Sequence, residues 1–397
     1  MSRIFITGMG LISAIGNSVD ENRNSLIKER SGISNIELYP TAYAGKLPAG
    51  EIKISSEELN RKIFDGIFEK GITRTALLGL HAAREAINDA GLTTDQLATT
   101  ETALVGANTV GGMCLSEELF HDAWAREGGT DYIGSYDYAS VTLAIQNKYG
   151  ILGELSTINT ACSSSANAIL YGARLIRNGL AKRAIVGGAE SLAKFTINGF
   201  NALNILSSKP CAPFDRDRNG LNLGEGAAFL VLEKEEDLKG KKVYAQLSGF
   251  ANQNDAYHPS SNSPAGEGPY LSMKKALAYG SLRPADISYI NAHGTGTENN
   301  DETESVAMQR LFENVPAFAS TKSFTGHTLG AAGAIEAVYS ILNIVHQEMY
   351  PSLSFHHPMQ GPGLKPVLHY KQQEILHVMS NAFGFGGNCS TLIFSKP

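Results

Sequence analysis

The chain of 397 residues holds only four cysteines and one tryptophan. Four thiols in so long a chain make no disulfide framework, and their spacing lacks a paired metal-ligand pattern. A reducing cytoplasm is the expected setting. Charge of one sign is also scarce: a formal net charge of −6 argues against nucleic-acid binding, while leaving room for a local basic patch. No stretch reaches about 18 consecutive apolar residues, so no membrane-crossing helix is expected. The start, MSRIFITGMG, has one positive charge and a glycine-broken apolar run. It reads as a strand over residues 4–7, not as a signal peptide.

What is present is glycine, 41 residues of it, and a hydrophobic share of 43% beside 18% charged residues. Those proportions describe a soluble globular protein with a large core. The length calls for two domains or one large composite sheet. Strand-like and helix-like segments alternate, which predicts an α/β fold with covered sheets. Helices are predicted over residues 75–90, 166–178 and 268–279. Strands are predicted over 102–106, 184–186, 227–232, 243–250 and 287–292. The mixed-sign run from Glu233 to Lys242 lies between two of these strands. It sets a domain boundary, giving residues 1–242 and 243–397. A loose duplication shows: strand, Cys162 and a small-residue helix in the first part; strand, His327 and a small-residue helix in the second. The second of these helices carries Ile335, Val338, Leu342 and Val345 on one predicted face.

Four segments stand out chemically. Cys162, in TACSSS, follows a β-prone run and precedes a helix. The dipole and free N–H groups of a helix start favour a thiolate. A lone free cysteine is more often a small buried hydrophobe. His293 enters a Gly/Thr loop, NAHGTGT, and reads either as a ligand-facing group or as a surface-loop histidine. His327, in KSFTGHTLGAAG, precedes a helix whose positive end lowers an imidazole pKa. It reads equally as a capping residue, and Lys322 as an ordinary exposed lysine. Phe383 and Phe385, in NAFGFGG, read as core packing; the glycine spacing there is not a dinucleotide motif.

Together these motifs closely resemble the β-ketoacyl-acyl-carrier-protein synthases of the elongating type. The resemblance runs from residue 4 to residue 394 and includes the stretch FDRDRNGLNLGEG at 214–226. Initiating relatives pair Cys and His with Asn, and thiolases use a second Cys; here the set is Cys, His, His and Lys. The resemblance implies a thiolase-like fold, with duplicated αβαβα layered halves related by pseudo-two-fold symmetry. It implies decarboxylative Claisen condensation of an acyl group on Cys162 with malonyl carrier protein. His293 and His327 would stabilise the enolate, and the N–H groups of Cys162 and Phe385 would form an oxyanion hole. Lys322 and Glu336 would organise the site through a polar network around His327. Phe385, with Phe383 beside it, would gate the site. Thr295, Thr297, Ser260, Val110 and Phe200 would contact substrate. No metal or organic cofactor is required. The implied partners are acyl- and malonyl-loaded carrier protein, with no nucleic acid or membrane. The implied assembly is a homodimer, or a heterodimer with a ketosynthase-like subunit.

Two other functions fit the sequence less well. A non-catalytic, chain-length-determining subunit typically loses the nucleophile, which this chain keeps. A Cys–His hydrolase lacks a reason for the second histidine, and no hydrolase elbow is present. The chain also departs from the family. Asn388-Cys389 stands where relatives usually have Thr-Asn, which puts Cys389 near the site without making it the nucleophile. The segment 128–140 is short and tyrosine-rich; Tyr132, Tyr136 and Tyr138 are expected either to pack or to alter acyl choice. Lys70, Arg74 and Lys209 are candidate contacts for an acidic carrier protein. Asp301 is expected to be structural, since acids favour a first helical turn.

Overall fold

The computed structural model describes residues 3–115, 124–125, 127, 132–238 and 240–397. Its strands repeat one plan twice. The first half contains β1 (Ile4–Ser13), β2 (Thr102–Ala107), β3 (Leu155–Ile158), β4 (Arg183–Glu190) and β5 (Gly226–Lys234). They lie side by side as β3-β2-β4-β5-β1. The second half contains β6 (Ala245–Asn254), β7 (Tyr289–Asn291) and β8 (Ala317–Ala319). After a separate small pair, β9 (Glu348–Met349) and β10 (Lys371–Gln372), it ends with β11 (His377–Gly384) and β12 (Asn388–Ser395). Their order is β8-β7-β11-β12-β6, the same plan read from the other end. Strand directions match too. The pairs β2–β3 and β2–β4 are parallel, as are β7–β8 and β7–β11, and the remaining pairs within each half are antiparallel. The halves meet where β1 pairs with β6, at Phe5↔Gln246 and Ile6↔Ala245.

Helices follow the same duplication. α1 (Arg74–Asp89), α2 (Ser140–Tyr149) and α3 (Ser164–Arg177) link the strands of the first half; α4 (Glu267–Gly280), α5 (Glu298–Leu311) and α6 (Ala332–His346) link those of the second. β5 shows how the layers form. Ala228, Leu230 and Leu232 point to one core and Ala227, Phe229 and Val231 to another. A strand buried on both faces needs apolar residues at every position, because successive side chains alternate sides. The first core holds α3 and α6 between the two half-sheets. α1 and α2 cover one outer face, α4 and α5 the other. The result is a five-layered α/β sandwich, as the resemblance implied.

α6 differs from the one-faced helix expected from sequence. Every residue from Ala332 to Ile344 is buried, while Val345, predicted to face inward, is 39% exposed. A helix in the central layer has sheets or helices on all sides, so its apolar surface wraps around it. The stretch Leu329–His346 is also long and apolar enough to cross a membrane, but 89% of it is buried inside the protein. Gly333 lets α6 approach α3: a Cβ there would lie 2.8 Å from the backbone nitrogen of Ala166. This close crossing places the loops before both helices in the same region.

Candidate active site

Cys162 stands on a tight elbow between β3 and α3. Ala161 has φ +53°, an unusual value for a side-chain-bearing residue, and Ser163 is the N-cap of α3. Thr160 N–H donates to Ser164 Oγ, and Ser164 Oγ–H donates to Ala161 O, which locks the turn. The thiol is 6% exposed, at the floor of a cleft of about 590 Å³. Burial pushes it up to about 11, against the opposing pull of Lys322 and the N–H of Phe385. The thiolate expected from the helix start is therefore not the resting form. Loss of water around the sulfur outweighs the favourable field.

His293 follows β7 as expected. Its N–H and that of Gly294 both donate to the Glu304 carboxylate on α5, which fixes the loop. His327 follows a short helix, Lys322–Thr325, and its N–H donates to Asn222 O. The two imidazoles meet edge to face with centroids 5.3 Å apart, and Phe383 lies 5.7 Å from His293. Burial first, and Lys322 second, hold both rings well below the ordinary histidine range. The direction agrees with the sequence expectation for His327, but burial is the main cause. Nδ1 of His327 accepts the N–H of Leu329 at 3.2 Å, and Nδ1 of His293 lies 3.2 Å from Lys322 Nζ. With Nδ1 an acceptor in each neutral ring, Nε2 carries the proton.

Lys322 is fully buried, far from the ordinary exposed lysine considered above. Its ammonium group donates to His293 O and to Glu336 Oε1, both at 2.5 Å, so the network expected around His327 is built on His293 instead. Burial raises the Glu336 carboxyl to about 7, with Lys322 opposing. Thr295, Thr297, Ser260, Phe200 and Phe385 line the same cleft. The hydroxyls of Thr295 and Thr297 are 2.8 Å apart, and Phe200 stacks on Phe385 at 5.8 Å and 13°. Phe385 is 36% exposed, at the outer end of that stack.

Several expected residues fall elsewhere. Val110 is buried and held by Glu190 through its N–H; it does not line the cleft. Tyr136 and Tyr138 are exposed and Tyr132 half-buried, all outside the cleft; residues 128–131 of that segment lie outside the described residues. Arg74 is not a docking candidate, because it forms a bidentate pair with Glu225. Lys70 and Lys209 are exposed. Cys389 is fully buried, and burial pushes its thiol far up. Asp301 accepts N–H groups from Phe214 and Gly296, a bracing role.

Two buried carboxylates escaped the sequence argument. Glu304 anchors His293, and Glu190 accepts from Thr109, Val110 and Gly330, tying the β2 loop to the turn after His327. Glu190 ends an otherwise uncharged strand stretch, AIVGGAE, which was the available signal.

The ligand atoms of Cys162, His293 and His327 all lie within 4.8 Å of one another. The set pairs a nucleophile with two neutral imidazoles whose Nε2–H groups can donate to a substrate oxygen. Fold and site thus define a condensing enzyme of duplicated α/β architecture. The beta-ketoacyl synthase N-terminal domain profile matches residues 1–238, and the C-terminal domain profile matches residues 244–356. The chain belongs to the β-ketoacyl synthase family. It is 35% identical to 3-oxoacyl-[acyl-carrier-protein] synthase 1 of Haemophilus influenzae, over 100% of this chain and 99% of that one. It is 32% identical to 3-oxoacyl-[acyl-carrier-protein] synthase 2 of Vibrio cholerae, over 99% of each. Among solved structures it resembles the ishigamide ketosynthase/chain length factor, with TM-score 0.92 and 28% identity, covering 100% of this chain and 99% of that one.

Proposed function

We propose that this protein is a 3-oxoacyl-[acyl-carrier-protein] synthase that elongates a carrier-bound acyl chain by two carbons. The observation that carries the reading is the convergence of Cys162 with both histidines at the floor of one cleft. In the first step the sulfur of Cys162 attacks an acyl thioester on carrier protein. A new C–S bond forms to Cys162 and the C–S bond to pantetheine breaks. The thiol proton ends on the departing pantetheine sulfur. The N–H groups of Cys162 and Phe385 face the reacting centre and serve as the oxyanion donors.

Malonyl carrier protein enters next, its pantetheine arm passing Thr295, Thr297 and Ser260. Carbon dioxide leaves, and the electron pair of the broken C–C bond is held as an enolate. Nε2–H of His293 and of His327 donate to its oxygen; neutral rings suit this role because they give hydrogen bonds without first losing a charge. Lys322 and Glu336 act through the histidines, keeping Nδ1 of His293 occupied. The carbanion then attacks the acyl-Cys162 carbonyl, the C–S bond to Cys162 breaks, and the thiolate released takes a proton from water to restore the thiol. Phe385 and Phe200 close the cleft between steps. This chemistry calls for no metal or organic cofactor.

The two lobes, 1–242 and 243–397, each supply part of the site: the nucleophile from the first, the histidines from the second. β3 is a half-buried edge strand, and a second chain pairing there, identical or ketosynthase-like, completes a dimer. Retention of Cys162 favours a catalytic subunit over a chain-length-determining one. Intact mass after incubation with a panel of acyl carrier proteins tests this. Acylation of the native chain, and none of Cys162→Ala, is expected. No acylation by any donor contradicts the reading.

A further inference from the structure

Asn388, the first residue of the Asn-Cys pair that departs from the family pattern, occupies a strategic place. It pairs with Gly384 at the neck of the β11–β12 hairpin, whose turn is Phe385–Gly387. Its side chain points back to the nucleophile elbow. Oδ1 lies 2.8 Å from Ser163 Oγ, 2.9 Å from Asn167 Nδ2 and 2.6 Å from Asn252 Nδ2. Asn167 Nδ2 reaches Thr160 Oγ1 at 2.8 Å, and its Oδ1 accepts from Ser390 Oγ at 2.7 Å. Thr160, Ser163 and Asn167 flank Cys162 in the first half; Asn252, Asn388 and Ser390 belong to β6 and β12 in the second.

The hairpin presses on the elbow. A Cβ at Gly384 would lie 2.7 Å from Thr160 O and 3.2 Å from Cys162 N. One amide oxygen therefore joins the residue after the nucleophile to the residue after the turn that carries the Phe385 N–H. We infer that Asn388 is a positioning residue for acyl transfer, holding the Phe385 N–H in register with the sulfur of Cys162. The inference rests on the proposed acylation of Cys162. A misplacement of about 1 Å between nucleophile and oxyanion donor costs on the order of 100-fold in rate. Ser163 has one proton and a second acceptor in Thr160 O, so the register depends on Asn388 as a shared acceptor more than on any single bond.

The test compares the full-length native chain, Asn388→Leu and Asn388→Asp. Acylation of Cys162 by acyl carrier protein is timed by intact mass, and alkylation of the same thiol by iodoacetamide is timed in parallel. Leucine keeps the bulk and removes the acceptor; aspartate keeps the acceptor. We expect acylation of Asn388→Leu to slow about tenfold or more while the alkylation rate per thiolate, taken from its pH profile, changes less than about threefold, since alkylation of the thiolate uses no oxyanion donor. Asn388→Asp is expected to recover most of the loss. Native-rate acylation by Asn388→Leu overturns the inference. So does an aspartate variant as slow as the leucine one, or a parallel change in both rates, which marks general loosening. If the native chain itself is not acylated by any donor, the functional reading falls and the inference with it.

Discussion

A thiol enclosed beside two neutral imidazoles and a buried ammonium keeps its proton at neutral pH when burial dominates. Cys162 is such a thiol, pushed up to about 11. Its reactivity in the free protein therefore depends on the thiolate fraction, which grows with pH throughout the neutral range. Iodoacetamide alkylation of Cys162 is predicted to accelerate about tenfold per pH unit between about pH 7 and 9, without a plateau. A plateau near neutral pH contradicts this and shows that the helix start wins over burial. At this scale the sequence was informative in part. Cys162, His293, His327 and Lys322 stood in recognisable motifs, yet each alone had an ordinary reading. What single motifs leave out is water: nothing in TACSSS tells how completely the thiol is enclosed. Glu190 and Glu304 were missed because their partners are backbone N–H groups distant in sequence, which carry no residue-type signal.

The elements that matter most are α3 and α6, which cross in the central layer. Gly333 of α6 faces Ala166 of α3, where an added Cβ meets backbone and side chain at 2.8 Å. Neither neighbour is the flexible end of a long side chain, so the helices themselves must separate. Gly333→Ala is predicted to cost about 1–3 kcal/mol, read as a lower urea midpoint with unchanged slope. An unchanged midpoint contradicts the tight crossing. Helix and strand positions were legible from periodicity: residues 75–90 and 102–106 lie within one residue of α1 and β2. α6 was legible as a helix but not in its surroundings. Periodicity reports one apolar face well, and an all-round apolar helix poorly, because it has no polar face to contrast with.

Across the whole molecule, duplication explains why the site lies where it does. Cys162 follows β3, and the segment carrying Lys322 and His327 follows β8, the corresponding strand of the other half. The loops before α3 and α6 approach one another across the sheet junction, so neither half alone holds the full set. Sequence similarity between the halves was faint, limited to a strand, a chemical residue and a small-residue helix. The strand order makes the repeat plain because topology outlasts side-chain identity. Carrier protein, the acyl-Cys162 thioester and the histidine pair have one joint consequence: a carrier-bound 3-oxoacyl chain two carbons longer than the donor. The most direct measurement is the intact mass of carrier protein after the purified chain meets acyl and malonyl carrier proteins together. The account predicts that product from the native chain, and none from Cys162→Ala. Absence of elongated product from the native chain with every acyl donor contradicts it.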